Sequence, residues 1–132
     1  MPTFETIEQA RSYFEGGRFA AENGATLDAL GENWSECSLT LTPRHSNANG
    51  GVMGGAIFML ADFAFAVAAN NVHRPTVAQQ VSVNFLSAAK GTRLVARATC
   101  RKDGRSTCVY NIDVRDDQNR DVAQMVVTVF KI

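Results

Sequence analysis

The sequence has few of the residues that build metal centres or disulfide frameworks. Only two histidines and three cysteines occur among 132 residues, and the cysteines show no C-x-x-C spacing. Neither histidine has a cysteine or acid at ligand spacing, so we predict no metal site. An odd cysteine count without a disulfide framework favours a reduced compartment, and we expect a cytoplasmic protein.

Net charge and long apolar runs are also absent. Thirteen basic residues balance thirteen acidic ones, which gives no overall field to attract nucleic acid or an anionic membrane. The longest apolar stretch, residues 56–72, contains Asp62, Asn70 and Asn71 and is shorter than the ~20 residues of a bilayer crossing. We therefore predict no nucleic-acid partner and no membrane association.

The order of hydrophobic patterns predicts a single α+β domain over residues 1–132. Helical spacing covers residues 7–14, a short patch follows at 19–25, and Cys37, Leu39 and Leu41 alternate with polar residues up to Pro43. Residues 56–69 are apolar on all sides except at Asp62, which is typical of a buried helix. Four runs of strand character follow, at residues 76–86, 94–100, 108–114 and 123–129.

This order fits an antiparallel sheet of five to six strands wrapped around one long central helix. The last three strands are predicted to form a meander, with turns at Asp103-Gly104 and at residues 116–119.

Asp62 is the first candidate for chemistry. An ionised carboxylate inside an apolar helix is unfavourable by several kcal/mol unless it is paired or functional. The residues three and four positions away are Phe58, Met59, Phe65 and Ala66, none of them basic. Asp62 therefore either caps or ties a neighbouring segment, or it performs acid–base or nucleophilic work.

The glycines before this helix are the second candidate. Gly54-Gly55 stands where the helix begins, so a ligand can approach the backbone closely and meet N–H groups that have no internal partner. Such groups can stabilise a developing oxyanion. A glycine-rich turn that serves only packing is the alternative.

The spacing of the two candidates predicts a dimer. Eight residues separate Gly54 from Asp62, about 12 Å along a helix axis. If both act on one carbonyl group, they come from different subunits, and a two-fold axis with facing helices would form two such sites.

This segment resembles the hot-dog thioesterases of the phenylacetate-degradation (PaaI-like) type. Their signature reads roughly Asn-x-x-Gly-x-x-His-Gly-Gly, followed by an apolar helix with Leu-x-Asp or Leu-x-Glu. The matching positions here are Asn47, Gly50, Gly54, Gly55, Leu60 and Asp62. The sequence departs from the signature at Met53, which replaces the histidine.

The resemblance implies an acyl-CoA thioesterase that needs no metal or redox cofactor, with coenzyme A entering as part of the substrate. Asp62 would be the nucleophile or the base that activates water, the Gly54 N–H would polarise the thioester carbonyl, and Asn47 would orient the thioester or the water. It also implies a homodimer or a tetramer built as a dimer of dimers. Phenylalanines in the helix would suit an aryl or medium-chain acyl group, although such residues commonly form plain core.

The resemblance further implies substrate contacts from the strand after the helix, from its end, and from the turn between the next two strands. The substrate-binding residues implied in this way, together with Gly55, are Gln80, Ser82, Phe85, Ser87, Lys90, Lys102, Gly104, Arg105 and Ser106. The cations around that turn could hold the nucleotide phosphates. A solvated charged hairpin tip is the alternative.

Two other functions were considered from the sequence, and the first of them is disfavoured. A hydratase of the same fold would need a histidine paired with an acid in the signature, which His45 and His73 do not provide. A non-catalytic acyl-CoA-binding or sensing protein is compatible with Met53.

Overall fold

The computed structural model describes residues 3–73 and 75–132, which form three α-helices and one six-stranded sheet. The elements in chain order are α1 (Ile7–Phe14), α2 (Arg18–Glu22), β1 (Ala25–Gly31), β2 (Trp34–Thr40), α3 (Gly54–Val72), β3 (Thr76–Phe85), β4 (Arg93–Asp103), β5 (Thr107–Asp116) and β6 (Asp121–Lys131). A short 3₁₀ turn, Pro43–His45, precedes the loop that leads into α3.

A side-chain cap fixes the start of α1, and a register shift makes β1 irregular. Thr6 caps α1, because its side chain accepts a hydrogen bond from the Gln9 N–H. The strand β1 was not clear from the sequence because its pairing with β2 shifts register between Leu27 and Ala29, and this bulge breaks the alternation. The structure therefore has six strands where the sequence predicted five or six.

The sheet wraps around α3, as the sequence predicted. Strand order is β1-β2-β4-β5-β6-β3, all neighbours are antiparallel, and β4, β5 and β6 form the predicted meander. The inward side chains of these three strands are nearly all buried: Leu94, Ala96, Ala98, Cys108, Tyr110, Ile112, Val114, Ala123, Met125, Val127 and Val129. They pack against α3, which is long and apolar enough by composition to span a bilayer but has most of its surface covered by the sheet.

The outer edge of β3 has no neighbouring strand within the described residues. This strand is ten residues long, carries no charged side chain and no proline, and exposes most of its residues. The opposite edge, β1, is shorter and is contacted by α1, where the Arg11 Nε donates to the Leu27 carbonyl at 2.9 Å. Long uncharged edges are unusual in isolated chains because they pair with further strands.

Candidate active site

Asp62 lies in the middle of α3, half-buried, between the fully buried Ala61 and the partly buried Phe63. No side chain or backbone N–H among the described residues donates to its carboxylate. Desolvation by burial raises the pKa of Asp62 above its ordinary value. The structure therefore gives no support to an intrachain cap or ion pair.

A row of partly exposed residues runs obliquely along α3 at intervals of four. Its members are Gly54, Phe58, Asp62, Ala66 and Asn70. Residues four apart form a ridge on a helix surface, and such ridges pack into the grooves of a facing helix. Asp62 thus belongs to a face of α3 that its own sheet leaves uncovered.

The N-terminus of α3 presents two backbone donors without an acceptor in the described chain. Met53 is the N-cap residue, and its carbonyl accepts from Ala56 and Ile57, while Gly54 and Gly55 have no intrachain acceptor. These N–H groups lie at the positive end of a 19-residue helix. Such N–H groups can stabilise negative charge on a carbonyl oxygen, and this role of Gly54 stays a prediction.

Phe85 packs directly against this helix end. A Cβ atom at Gly54 would lie 3.2 Å from the Phe85 Cζ, so only glycine leaves the ring in its present position. The ring is 53% exposed. The contact arises because β3 runs back along α3, and it brings together two residues that the sequence assigned separately to catalysis and to substrate binding.

Asn47 organises the loop before the helix. Its Oδ1 accepts from the Asn49 N–H at 2.9 Å and from the Gly51 N–H at 3.1 Å, and the Asn47 N–H donates to the Gly51 carbonyl at 2.7 Å. Ser46 and Val52 close the loop as an isolated β-bridge. The side-chain oxygen of Asn47 is thus committed to the loop, which leaves its Nδ2 to serve a substrate or water.

His45 anchors the same loop, a role that the sequence analysis missed. It is 5% exposed, its Nδ1 accepts from the Thr42 N–H at 3.1 Å, and its Nε2 lies 2.7 Å from the Asn23 carbonyl. Its own carbonyl accepts from the Met53 N–H at 2.8 Å. The Thr42-x-x-His45 spacing next to Pro43 was the available signal, since it forms a capping box.

Of the other residues expected to bind substrate along β3 and after it, Gln80, Ser82 and Lys90 are exposed and Ser87 is partly buried. They differ in whether their polar atoms already have partners. Gln80 Nε2 donates to Ser82 Oγ at 3.1 Å, so these two lie together on the open edge strand. The Ser87 hydroxyl is bound to the Asp121 carbonyl. The ammonium of Lys90 has no acidic partner among the described residues.

The β4–β5 hairpin tip carries three free cations. Arg101, Lys102 and Arg105 are exposed, and none forms an ion pair within the described chain. Arg101 is the extra residue of a bulge, because the pairing shifts register between Cys100 and Lys102. Ser106 is exposed beside them.

The turn at this tip requires glycine. The Gly104 N–H donates to the Thr107 carbonyl at 2.9 Å, and a Cβ at Gly104 would lie 2.6 Å from that oxygen. The tight turn therefore holds the neighbouring cations close together at the end of the hairpin.

Within one chain, the two groups of residues implied for coenzyme A lie at opposite ends of the sheet. Thr107 pairs with Phe130, and Phe130 pairs with Val77, so the hairpin tip lies at the end of the sheet where β3 begins. Phe85 lies at the other end of β3, beside Gly54. The structure thus does not bring the hairpin tip and the helix N-terminus together within a single chain.

Comparisons with known proteins agree with this architecture. The model of the thioesterase superfamily matches residues 49–123, which include the loop, α3 and most of the sheet. The acyl-coenzyme A thioesterase PaaI of Escherichia coli is 31% identical over 117 residues, 88% of this chain and 84% of that protein.

Solved structures share the same fold. The E. coli PaaI protein from the phenylacetic acid degradation operon superimposes with a TM-score of 0.89 at 28% identity, covering 96% of this chain and 92% of that one. A hypothetical thioesterase protein with coenzyme A from Streptococcus pneumoniae has a TM-score of 0.83 at 23% identity, covering 90% and 96%. The chain is therefore a member of the thioesterase superfamily, a PaaI-like thioester hydrolase with the hot-dog fold.

Proposed function

We propose that the chain hydrolyses acyl-coenzyme A thioesters at a site formed between two copies of itself. The observation that carries the proposal is the pair of unsatisfied groups on α3. Within the described chain, a half-buried carboxylate without a donor and a helix N-terminus without an acceptor lie about 12 Å apart along one helix. A facing copy of the helix would bring each next to its counterpart.

The open edge of β3 supports a two-fold arrangement. Two such edges can pair antiparallel, which joins two sheets into one and satisfies the exposed backbone groups. In that arrangement the Phe85 end of one β3 lies beside the Thr76 end of the other. The two α3 helices then run in opposite directions next to each other, with their Asp62 rows in contact.

The same arrangement assembles the residues implied for coenzyme A. Because the hairpin tip lies at the Val77 end of the sheet, the tip of one subunit comes close to Gly54 and Phe85 of the other. Lys102 and Arg105 can then hold the nucleotide phosphates while the thioester lies at the helix N-terminus. The solved S. pneumoniae relative, a thioesterase protein with coenzyme A, supports a ligand of this class.

The chemistry follows from these groups. Asp62 acts either as general base, taking a proton from water, or as nucleophile through a mixed anhydride that water then hydrolyses. The carbonyl oxygen becomes negative as the new C–O bond forms, and the partner's Gly54 N–H stabilises it. The C–S bond then breaks, the thiolate of coenzyme A leaves and takes up a proton, and the free acid is released.

The acyl group has a groove available beside Gly55. The groove has a volume of about 210 Å³, and much of its wall is formed by Met53, Phe19, Ala56 and Met59. Met53 and Phe19, which line this groove, are 55% and 72% exposed. An apolar acyl chain or small aryl group would cover them. Of the helix phenylalanines, Phe65 belongs to the buried core and Phe63 packs against Phe14.

A thiol-release assay over a panel of acyl-CoAs tests this function. We expect turnover with aryl and medium-chain acyl groups, which fit the groove, and slower turnover with long chains. The oligomer should be measured on the same sample by analytical ultracentrifugation. Measurable binding of acyl-CoAs without release of thiol from any of them would contradict the proposal and indicate a sensing protein.

A further inference from the structure

Asp103, at the base of the hairpin tip, is held by side chains from two distant parts of the chain. Lys131 Nζ donates to its Oδ1 at 2.7 Å, and His73 Nε2 lies 2.9 Å from its Oδ2. The hydrogen bond from Lys131 is the main cause that lowers the pKa of Asp103, with His73 contributing. Asp103 thus connects the end of β4 to the C-terminal end of α3 and to the last residues of β6.

Lys131 also fixes the turn itself. Its Nζ donates to the Gly104 carbonyl at 2.6 Å, and its backbone N–H donates to the Ser106 carbonyl at 3.0 Å. On the β2 side the hairpin extends past the last paired residue, Thr99, and a bulge at Arg101 interrupts the β4–β5 ladder. On the other side β6 pairs with β5 up to Thr107. The contacts from Lys131 and His73 to Asp103 add to this strand pairing and connect the tip to the C-terminal end of α3.

The pairing of the charged groups around the tip leaves two of its cations available to an anionic ligand. The Asp103 carboxylate is paired with the Lys131 ammonium and contacts the His73 ring, so it does not neutralise the cations of the tip. Lys102 and Arg105 have no acidic partner among the residues described. Without its two partners, Asp103 would attract these side chains away from a phosphate.

We propose that Asp103 is a positioning residue for the coenzyme A subsite: through Lys131 and His73 it fixes the hairpin tip so that Lys102 and Arg105 meet the nucleotide phosphates. This inference rests on the proposed function, since it assigns the tip to the substrate's nucleotide. Asp103 itself does not touch the reacting atoms, so its effect is confined to the binding of the nucleotide end of the substrate.

The test compares two thioesters that share one acyl group, an acyl-CoA and the acyl-pantetheine that lacks the nucleotide. In Asp103→Asn we expect KM for the acyl-CoA to rise about two- to fivefold, the upper part of the range for a partly exposed ionic contact, with kcat unchanged. KM for the acyl-pantetheine should stay at the wild-type value. Asp103→Glu, which keeps the charge, should show a smaller rise.

Two further variants separate the possible outcomes. Asp28→Asn removes an exposed ion pair with Arg93 at 3.3 Å, far from the tip, and should leave both KM values unchanged. The double variant Lys102→Ala/Arg105→Ala should raise KM for the acyl-CoA alone. If it does so while Asp103→Asn does not, the positioning role is refuted and the proposed function stands.

Other outcomes also count against the inference. An equal loss on both thioesters in Asp103→Asn would indicate a general structural role and overturn the positioning assignment. No change in KM from the Lys102→Ala/Arg105→Ala double variant would show that the tip does not bind the nucleotide at all. Should Asp103→Asn fail to fold, Lys131→Gln weakens the same cluster from its other side and is expected to give the same selective rise in KM.

Discussion

Replacing Asp62 with asparagine is expected to lower the turnover of acyl-CoA by at least about tenfold, because general bases and acids supply about 10²–10⁴ in such reactions. The amide is nearly the same size as the carboxylate, so packing along α3 is retained, but it can neither accept a proton from water nor attack a carbonyl. Thiol release under single-turnover and steady-state conditions measures the loss. Turnover equal to that of the wild type would refute the assignment of Asp62.

Stability and pH dependence provide the controls for this variant. Because burial raises the pKa of Asp62, its contribution to stability is fully present below the ordinary pKa and is lost as pH rises through the raised value. Asp62→Asn should therefore unfold no more readily than the wild type at neutral pH, and it should keep the proposed dimer. The wild-type rate should fall on acidification at a pH above the ordinary aspartate range, and the variant should lack that limb.

Replacing Gly54 with proline is expected to lower turnover by about 10²–10³, the usual effect of losing one oxyanion donor. Proline has no N–H, yet it is favoured at the first position of a helix. Met53 before it has φ −66° and ψ 134°, which is the extended conformation that a residue preceding proline prefers. The variant therefore removes the donor with little disturbance of α3.

The matched control for this variant is Gly54→Ala, which adds a Cβ but keeps the N–H. That Cβ would lie 3.2 Å from the Phe85 ring, which is half exposed and can shift. We expect a much smaller loss of turnover in the alanine variant than in the proline variant. Equal losses in both would show that space beside Phe85 matters and that the N–H does not.

The parts of the fold with regular local patterns could be predicted from the sequence. The inward alternation of β4 to β6 and the apolar run around Asp62 each reflect one burial environment over many residues. The strand β1 was missed because its bulge between Leu27 and Ala29 breaks the alternation. The start of α3 at Gly54 was predicted, although glycine is a poor helix former.

In the candidate site, too, only residues with a local sequence signal could be predicted. Asp62 could be identified because its helical neighbours include no cation, which is a local property. The cluster of Asp103, His73 and Lys131 could not, since its members are about 30 residues apart and meet only once the sheet has formed. The packing of Phe85 on Gly54 likewise depends on how β3 returns along α3.

Mixing two inactive variants tests most directly whether the site is shared. A dimer of one Asp62→Asn chain and one Gly54→Pro chain contains one site with both defects and one site with neither. Co-expression of the two variants should restore activity to about a quarter of the wild-type value, because half of the dimers are mixed and one of their two sites is intact. If Asp62 and Gly54 of the same chain formed the site, every site would carry a defect, and the mixture would stay as inactive as its components.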